Sequence, residues 1–177
     1  MWCRIRAAAL VVGLMGMLGL PAVSAAPNPA KLEVRSSSAL VVDVKTGKTL
    51  YQKNATKVRP IASLTKLMTA LVVLDAKQNL NQTITVDKND LDRVKHTHSR
   101  IRMGTKVTRR DALHLALMSS ENRMASALAR HYPGGRSAFV RAMNNKARQL
   151  GMRNTHFYDS TGLSTRNVST AQDLGKL

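Results

Sequence analysis

Cysteine is almost missing from this 177-residue chain: the only one is Cys3. It lies ahead of an apolar run from Ala7 to Leu20, the wrong side for a lipoprotein cysteine, and it would leave with a cleaved leader. The mature chain would then have no thiol, which excludes disulfides and a cysteine nucleophile. Acids are scarce too, with 10 Asp and Glu against 28 Lys and Arg and a formal net charge of +18. Aromatics make up 3% of the residues. Few rings accompany the cations, and the cations are spread along the chain, so a base-stacking nucleic-acid surface is disfavoured. An acidic polymer or anionic surface of the cell envelope suits the charge better. Metal-ligand spacing is limited to His96 and His98, with no helix of the His-Glu-x-x-His kind beside them. A zinc site needs three or four convergent ligands, so these read as solvated loop histidines, and neither metal nor cofactor is expected.

The apolar run Ala7–Leu20 is too short for a comfortable membrane span. Arg4 and Arg6 precede it, and Pro21-Ala22-Val23-Ser24-Ala25-Ala26 follows. A basic start, an apolar centre and small residues at the cut describe a secretory signal peptide over residues 1–25. Its removal takes two cations and no acid, leaving about +16. The expected product is an exported, periplasmic protein. Residues 26–37, with Pro27, Pro29, Ser36 and Ser37, read as a linker.

The most informative stretch is Pro60-Ile61-Ala62-Ser63-Leu64-Thr65-Lys66-Leu67-Met68-Thr69-Ala70-Leu71. Proline suits a helix's first turn, and the leucines that follow predict a helix too oily for a surface. Residues three apart share a helix face, so Ser63 and Lys66 meet one turn apart. A serine needs a base to take its proton, and lysine serves only where burial or nearby positive charge lowers its pKa. The helix N-terminus would add positive potential for a developing oxyanion. Roughly one Ser-x-x-Lys is expected by chance in this composition, so the motif alone decides nothing.

Upstream, Ala39–Val44 and Thr49–Gln52 read as strands joined by a hairpin turn at Lys45-Thr46-Gly47-Lys48, where Gly47 can take a positive φ. Thr83–Val86 is a short strand in an otherwise irregular region. Thr108-Arg109-Arg110-Asp111 resembles a capping box, opening a helix over residues 111–118 that is apolar nearly all round and so expected to be buried. Ser119-Ser120-Glu121-Asn122 interrupts it, and helix resumes to Pro133-Gly134-Gly135. Ser137 is the expected cap of the next helix, which Gly151 ends; Ser169-Thr170-Ala171-Gln172 is read as the box that opens a last one. A polar break in a buried helical hairpin is costly unless its groups are used. Ser120 and Asn122 read equally well as a helix-cap pair or as two groups pointing into one cleft.

The combination resembles the penicillin-binding proteins, whose motifs are Ser-x-x-Lys, Ser-x-Asn and Lys-Thr-Gly. Ser63-Leu64-Thr65-Lys66 and Ser120-Glu121-Asn122 match the first two in order. Flanking stretches narrow it to the low-molecular-mass D-alanyl-D-alanine peptidases, nearest the endopeptidase branch: Arg59-Pro60-Ile61-Ala62, Ala116-Leu117-Met118-Ser119, His131-Tyr132-Pro133-Gly134-Gly135 and Thr161-Gly162-Leu163-Ser164. The resemblance covers about residues 38–177. It implies a β-lactamase/transpeptidase-like α+β fold, an antiparallel sheet beside a helical cluster. It also implies an acyl-enzyme on Ser63, Lys66 as base, Ser120 as proton shuttle and Asn122 orienting substrate. The substrates would be peptidoglycan stem peptides, cut at their cross-links, with β-lactams as covalent inhibitors. A D-alanyl-D-alanine carboxypeptidase and a non-catalytic peptidoglycan-binding remnant are the alternatives.

One motif departs from the pattern. Lys45-Thr46-Gly47 matches the third set of letters, but it precedes the nucleophile and sits in a hairpin turn, so it is rejected as the catalytic motif. The family's own Lys-Thr-Gly strand follows the helical region. The expectation is therefore an incomplete, C-terminally truncated peptidase domain over residues 38–177, short of its C-terminal strands and with a half-built oxyanion hole.

Overall fold

In the computed structural model, residues 33–177 are described; the expected signal peptide and most of the expected linker lie outside them. Strands β1 (Ala39–Val42) and β2 (Thr49–Lys53) pair antiparallel, Ala39 opposite Lys53 and Val41 opposite Tyr51. The expected run to Val44 stops at Val42. Asp43 ends it, because its Oδ1 accepts from the Lys45 and Thr46 N–H groups at 2.9 and 2.7 Å and from the Thr46 hydroxyl at 2.9 Å. Gly47 takes φ +70° in the resulting turn, a conformation glycine adopts without a Cβ penalty. The Lys45-Thr46-Gly47 letters are thus consumed by a turn.

Pro60 differs from expectation. It lies in β3 (Arg59–Pro60), which pairs antiparallel with β6 (Val168–Ser169). A single 3₁₀ turn, Ala62–Leu64, separates it from α1 (Thr65–Asp75). Nor is α1 simply an oily core helix. Leu64, Leu67 and Leu74 are half exposed, while Thr65, Lys66 and Thr69 are buried with Met68, Val72 and Val73. Hydrogen bonding explains the polar seam: Thr69 Oγ1 donates to Ser160 O at 2.7 Å, and Thr65 Oγ1 accepts from Asn167 Nδ2 at 3.0 Å. The helix turns its hydroxyls toward the 158–167 loop, where backbone and amide groups satisfy them.

Strand β4 (Thr83–Thr85) pairs antiparallel with β5 (Lys106–Thr108), which leads into α2 (Arg109–Met118). Thr108 caps α2 as expected, its Oγ1 accepting from Asp111 N at 3.1 Å. Only Arg109, Ala112, Leu113 and Ala116 of α2 are buried; Leu117 and Met118 are exposed, so the expected all-round burial is corrected to one face. Helix α3 (Asn122–Arg130) follows, then α4 (Gly135–Gln149). The cap of α4 is Gly134 at φ +80°, not Ser137, which lies inside the first turn. The last helix, α5 (Ala171–Leu174), is capped one residue later than expected, by Thr170 accepting from Asp173 N at 3.0 Å.

The core sits around α3, whose Ala125, Ala127 and Ala129 are buried. These small side chains let α1, α2 and α4 pack against it, with Met68, Met124, Leu128, Phe139 and Met143 filling the space between. Beneath this, Asp90 is buried and paired with Arg130 and Arg136, each at 2.8 Å. The result is an α+β arrangement in which the start of α1 and the α2–α3 junction meet.

Candidate active site

Ser63, Ser120 and Asn122 are placed by breaks in regular structure, and Lys66 by the first turn of α1. Ser63 lies in the 3₁₀ turn, exposed, directly after Ala62 at φ +45°. Ser120 lies between α2 and α3 at φ +52°, and Asn122 opens α3. A non-glycine residue held there costs on the order of 1 kcal/mol, and two such positions flank one lysine. The four polar residues expected from sequence converge as follows.

Lys66 is 3% exposed. Its Nζ lies 2.8 Å from Asn122 Oδ1, 2.8 Å from Thr161 O, 3.2 Å from Ser120 Oγ and 3.4 Å from Ser63 Oγ. Asn122 Oδ1 and Thr161 O can only accept, so they claim two N–H groups. What remains of the amine faces the two serine hydroxyls. In an ammonium that is a third N–H; in a neutral amine it is the lone pair, aimed where a base must point. Burial pushes the Lys66 pKa below its ordinary value, against partial opposition from the Asp159 and Glu121 carboxylates. Burial thus shifts the balance toward the neutral form relative to a free lysine.

Thr161 as a lysine acceptor was not legible beforehand, although the 161–164 stretch was. The loop is wound around Asp159: Oδ1 accepts from Thr161 N at 2.6 Å, Thr161 Oγ1 at 2.8 Å and Gly162 N at 2.7 Å, and Oδ2 from Ser164 N at 2.9 Å. The run Asp159-Ser160-Thr161-Gly162 is a local turn signal that could have marked it. Buried Asn167 uses its whole amide. Its Oδ1 accepts from Tyr158 N and Asp159 N at 2.8 and 3.2 Å, and its Nδ2 donates to Thr65 Oγ1 and Asp159 O at 3.0 Å each. Gly162, at φ +86°, lies so close to the 3₁₀ turn carrying Ser63 that a Cβ would sit 1.9 Å from Ala62 O.

A cavity of about 430 Å³ opens between Ser63, Lys66, Leu67, Leu117 and Ser120. A larger one, about 710 Å³, lies between β1 and α5 and touches neither Ser63 nor Lys66. Ser63, Lys66 and Ser120 all line the smaller. His96 and His98 lie in the exposed 91–101 loop, and among the described residues no three His, Cys, Asp or Glu side chains gather as metal ligands. No helix among those residues is long and apolar enough to cross a membrane.

Comparison with known proteins finds relatives of this chain. The chain is 50% identical over 179 residues to a D-alanyl-D-alanine endopeptidase of Pseudomonas aeruginosa, covering 98% of this chain and 58% of that protein. It is 52% identical over 154 residues to the D-alanyl-D-alanine endopeptidase of Escherichia coli, covering 87% of this chain and 50% of that one. The chain thus spans about half the length of the curated relatives it matches. Among solved structures, a Streptomyces DD-transpeptidase superposes with a TM-score of 0.75 at 36% identity, over 82% of this chain and 60% of that one. A penicillin-binding protein of Listeria monocytogenes in its ampicillin-bound form gives 0.68 at 34% identity, with the same coverage. The β-lactamase/transpeptidase-like fold expected from sequence is therefore the fold observed. The profile of the D-alanyl-D-alanine carboxypeptidase family matches residues 23–177, and the chain belongs to that family.

Proposed function

We propose that this chain carries the nucleophile half of a serine-type D-alanyl-D-alanine endopeptidase acting on peptidoglycan cross-links. The observation that carries it is the Lys66 amine, held by Asn122 Oδ1 and Thr161 O with its remaining valence toward Ser63 and Ser120. Ser63 Oγ attacks the D-alanyl carbonyl carbon while Lys66 Nζ takes its proton. The tetrahedral adduct expels the amine, which receives a proton from Lys66 through the Ser120 hydroxyl, leaving an ester on Ser63. Water then hydrolyses the ester. Asn122 holds the lysine through Oδ1 and orients the bound peptide. A β-lactam carbonyl would acylate Ser63 by the same attack.

Identity favours the endopeptidase reading over carboxypeptidase action. The two relatives at 50% and 52% identity are named endopeptidases, whereas those named carboxypeptidases stand at 35% or lower. Labelling with a fluorescent penicillin, with Ser63→Ala alongside, tests the nucleophile: a covalent band lost in the variant supports it. No band from folded parent protein would reject catalysis and leave a peptidoglycan-binding remnant. Cleavage of cross-linked muropeptides without release of free D-alanine from a pentapeptide selects the endopeptidase.

Residues 1–25 support export, and we place the mature protein in the periplasm; fractionation of cells with and without residues 1–25 tests it. Arg93, Lys95, Arg100, Arg102, Lys106 and Arg110 are all exposed, in the stretch of chain that includes Thr97, the Asn122 partner. They suit peripheral contact with anionic envelope polymers and not nucleic acid, and retention on purified sacculi should fall steeply with salt.

A further inference from the structure

The loop from Asp92 to Thr97 is tied to one carboxylate. Asp92 Oδ1 accepts from Val94 N at 2.8 Å and Lys95 N at 2.9 Å; Oδ2 accepts from Thr97 N at 2.8 Å and from Thr97 Oγ1 at 2.7 Å. The Thr97 hydroxyl proton is therefore spent on Asp92. Its oxygen keeps only lone pairs for its other neighbour, Asn122 Nδ2, at 3.1 Å. An asparagine amide is nearly symmetric in shape, and rotation by half a turn exchanges oxygen and nitrogen. Reversed, Asn122 would turn its NH₂ toward the Lys66 N–H groups, donor against donor, and lose the 2.8 Å bond.

We propose that Thr97 is a positioning residue: by accepting from Asn122 Nδ2 it keeps Asn122 Oδ1 on the Lys66 amine. The chain of bonds runs from Asp92 through Thr97 and Asn122 to Lys66, and each donor–acceptor direction is dictated by the one before it. Burial pushes the Asp92 carboxyl up, but the Lys95 N–H, the Thr97 hydroxyl and the Thr97 and Val94 N–H groups outweigh it and hold it far below the ordinary range. The first link thus stays an anionic acceptor throughout the range in which lysine titrates. Thr97 belongs to an exposed loop outside both sequence motifs, and its connection to the base is visible only in space. The inference rests on the proposed function only for its catalytic consequence, since the amide orientation exists with or without turnover.

The experiment uses the full chain with ¹³C-labelled lysine, following the Lys66 Cε resonance against pH and assigning it by its loss in Lys66→Met. The carboxylates acting on Lys66, Asp159 and Glu121, stay unchanged across the series. Thr97→Val keeps the shape and removes the acceptor. A freed Asn122 amide stabilises the ammonium less, so the Lys66 midpoint is expected to fall by about half a pH unit. Thr97→Ser restores the acceptor and is expected to return the parental midpoint. An unchanged midpoint in Thr97→Val overturns the proposal, as does an equal fall in Thr97→Ser, which would assign the effect to loop packing. Penicillin labelling of the parent is read separately: its absence rejects the catalytic reading and leaves the titration result standing.

Discussion

A buried lysine amine with two acceptor-only neighbours has the direction of its remaining valence settled by hydrogen-bond inventory. Asn122 Oδ1 and Thr161 O each take an N–H at 2.8 Å, and the hydroxyls of Ser63 and Ser120 receive what is left. Because burial lowers the Lys66 pKa, the neutral amine appears at a lower pH than for a free lysine. The base is active when deprotonated, so penicillin acylation of Ser63 should rise with pH through that lowered midpoint and level off above it. A pH series of acylation rates checks the sign; a rate that falls over the same interval would remove Lys66 from the role. Lys66→Met should lower acylation by on the order of 10²–10⁴, the usual worth of a positioned general base, with the fold kept. Thermal melts beside the labelling assay separate the two effects.

At the scale of elements, the 3₁₀ turn carrying Ser63 is braced by the 158–167 loop. Asp159 gathers four donors, Asn167 joins the loop to Thr65, and Gly162 presses against the Ala62 carbonyl. Gly162→Ala combines an unfavourable φ of +86° with a Cβ 1.9 Å from Ala62 O, so the backbone must move. Strain of this kind costs about 1–3 kcal/mol before the displacement of neighbours is added. The expected outcome is a lower Tm together with loss of penicillin labelling, because Ser63 follows Ala62 directly. Retained labelling at parental rate would mean that the loop does not brace the turn. The helices obey simpler rules. Phe139 of α4 is fully buried and edge-on to Tyr132 at 5.2 Å, and Phe139→Ala should cost about 3–5 kcal/mol in denaturant unfolding.

For the molecule as a whole, one buried carboxylate couples the parts: Asp90 bonds Arg130, Arg136 and Ser126, tying the 3₁₀ turn at Lys88–Asp90 to α3 and α4. Burial raises the Asp90 pKa, but the Arg130 guanidinium, the Asp87 N–H and Ser126 outweigh it and leave it below its ordinary value. A depressed carboxyl stabilises the fold at pH above its unfolded pKa, and that stability is lost as pH falls through the folded value. Asp90→Asn should therefore destabilise at pH 7 by about 3–5 kcal/mol, as expected for a buried pair stripped of one partner. The difference from the parent should shrink in acid, which parallel urea titrations at several pH values would read. Much of this molecule was legible in one dimension, because much of it is local chemistry. Periodicity and caps marked β1, β2, β4 and the helices, and the order Ser-x-x-Lys then Ser-x-Asn marked Ser63, Lys66, Ser120 and Asn122. A capping hydroxyl, a turn glycine and residues three apart on a helix all act within a few positions, so the letters carry them. Burial and partnership across long separations are different. Which face of α1 goes inward, the placing of Pro60 in a strand, the Thr161 carbonyl 95 residues from Lys66 and the Thr97 hydroxyl behind Asn122 were decided only by tertiary structure. Those contacts exist because a buried polar group must find its partners among whatever packing brings beside it, and a sequence does not say which groups those will be.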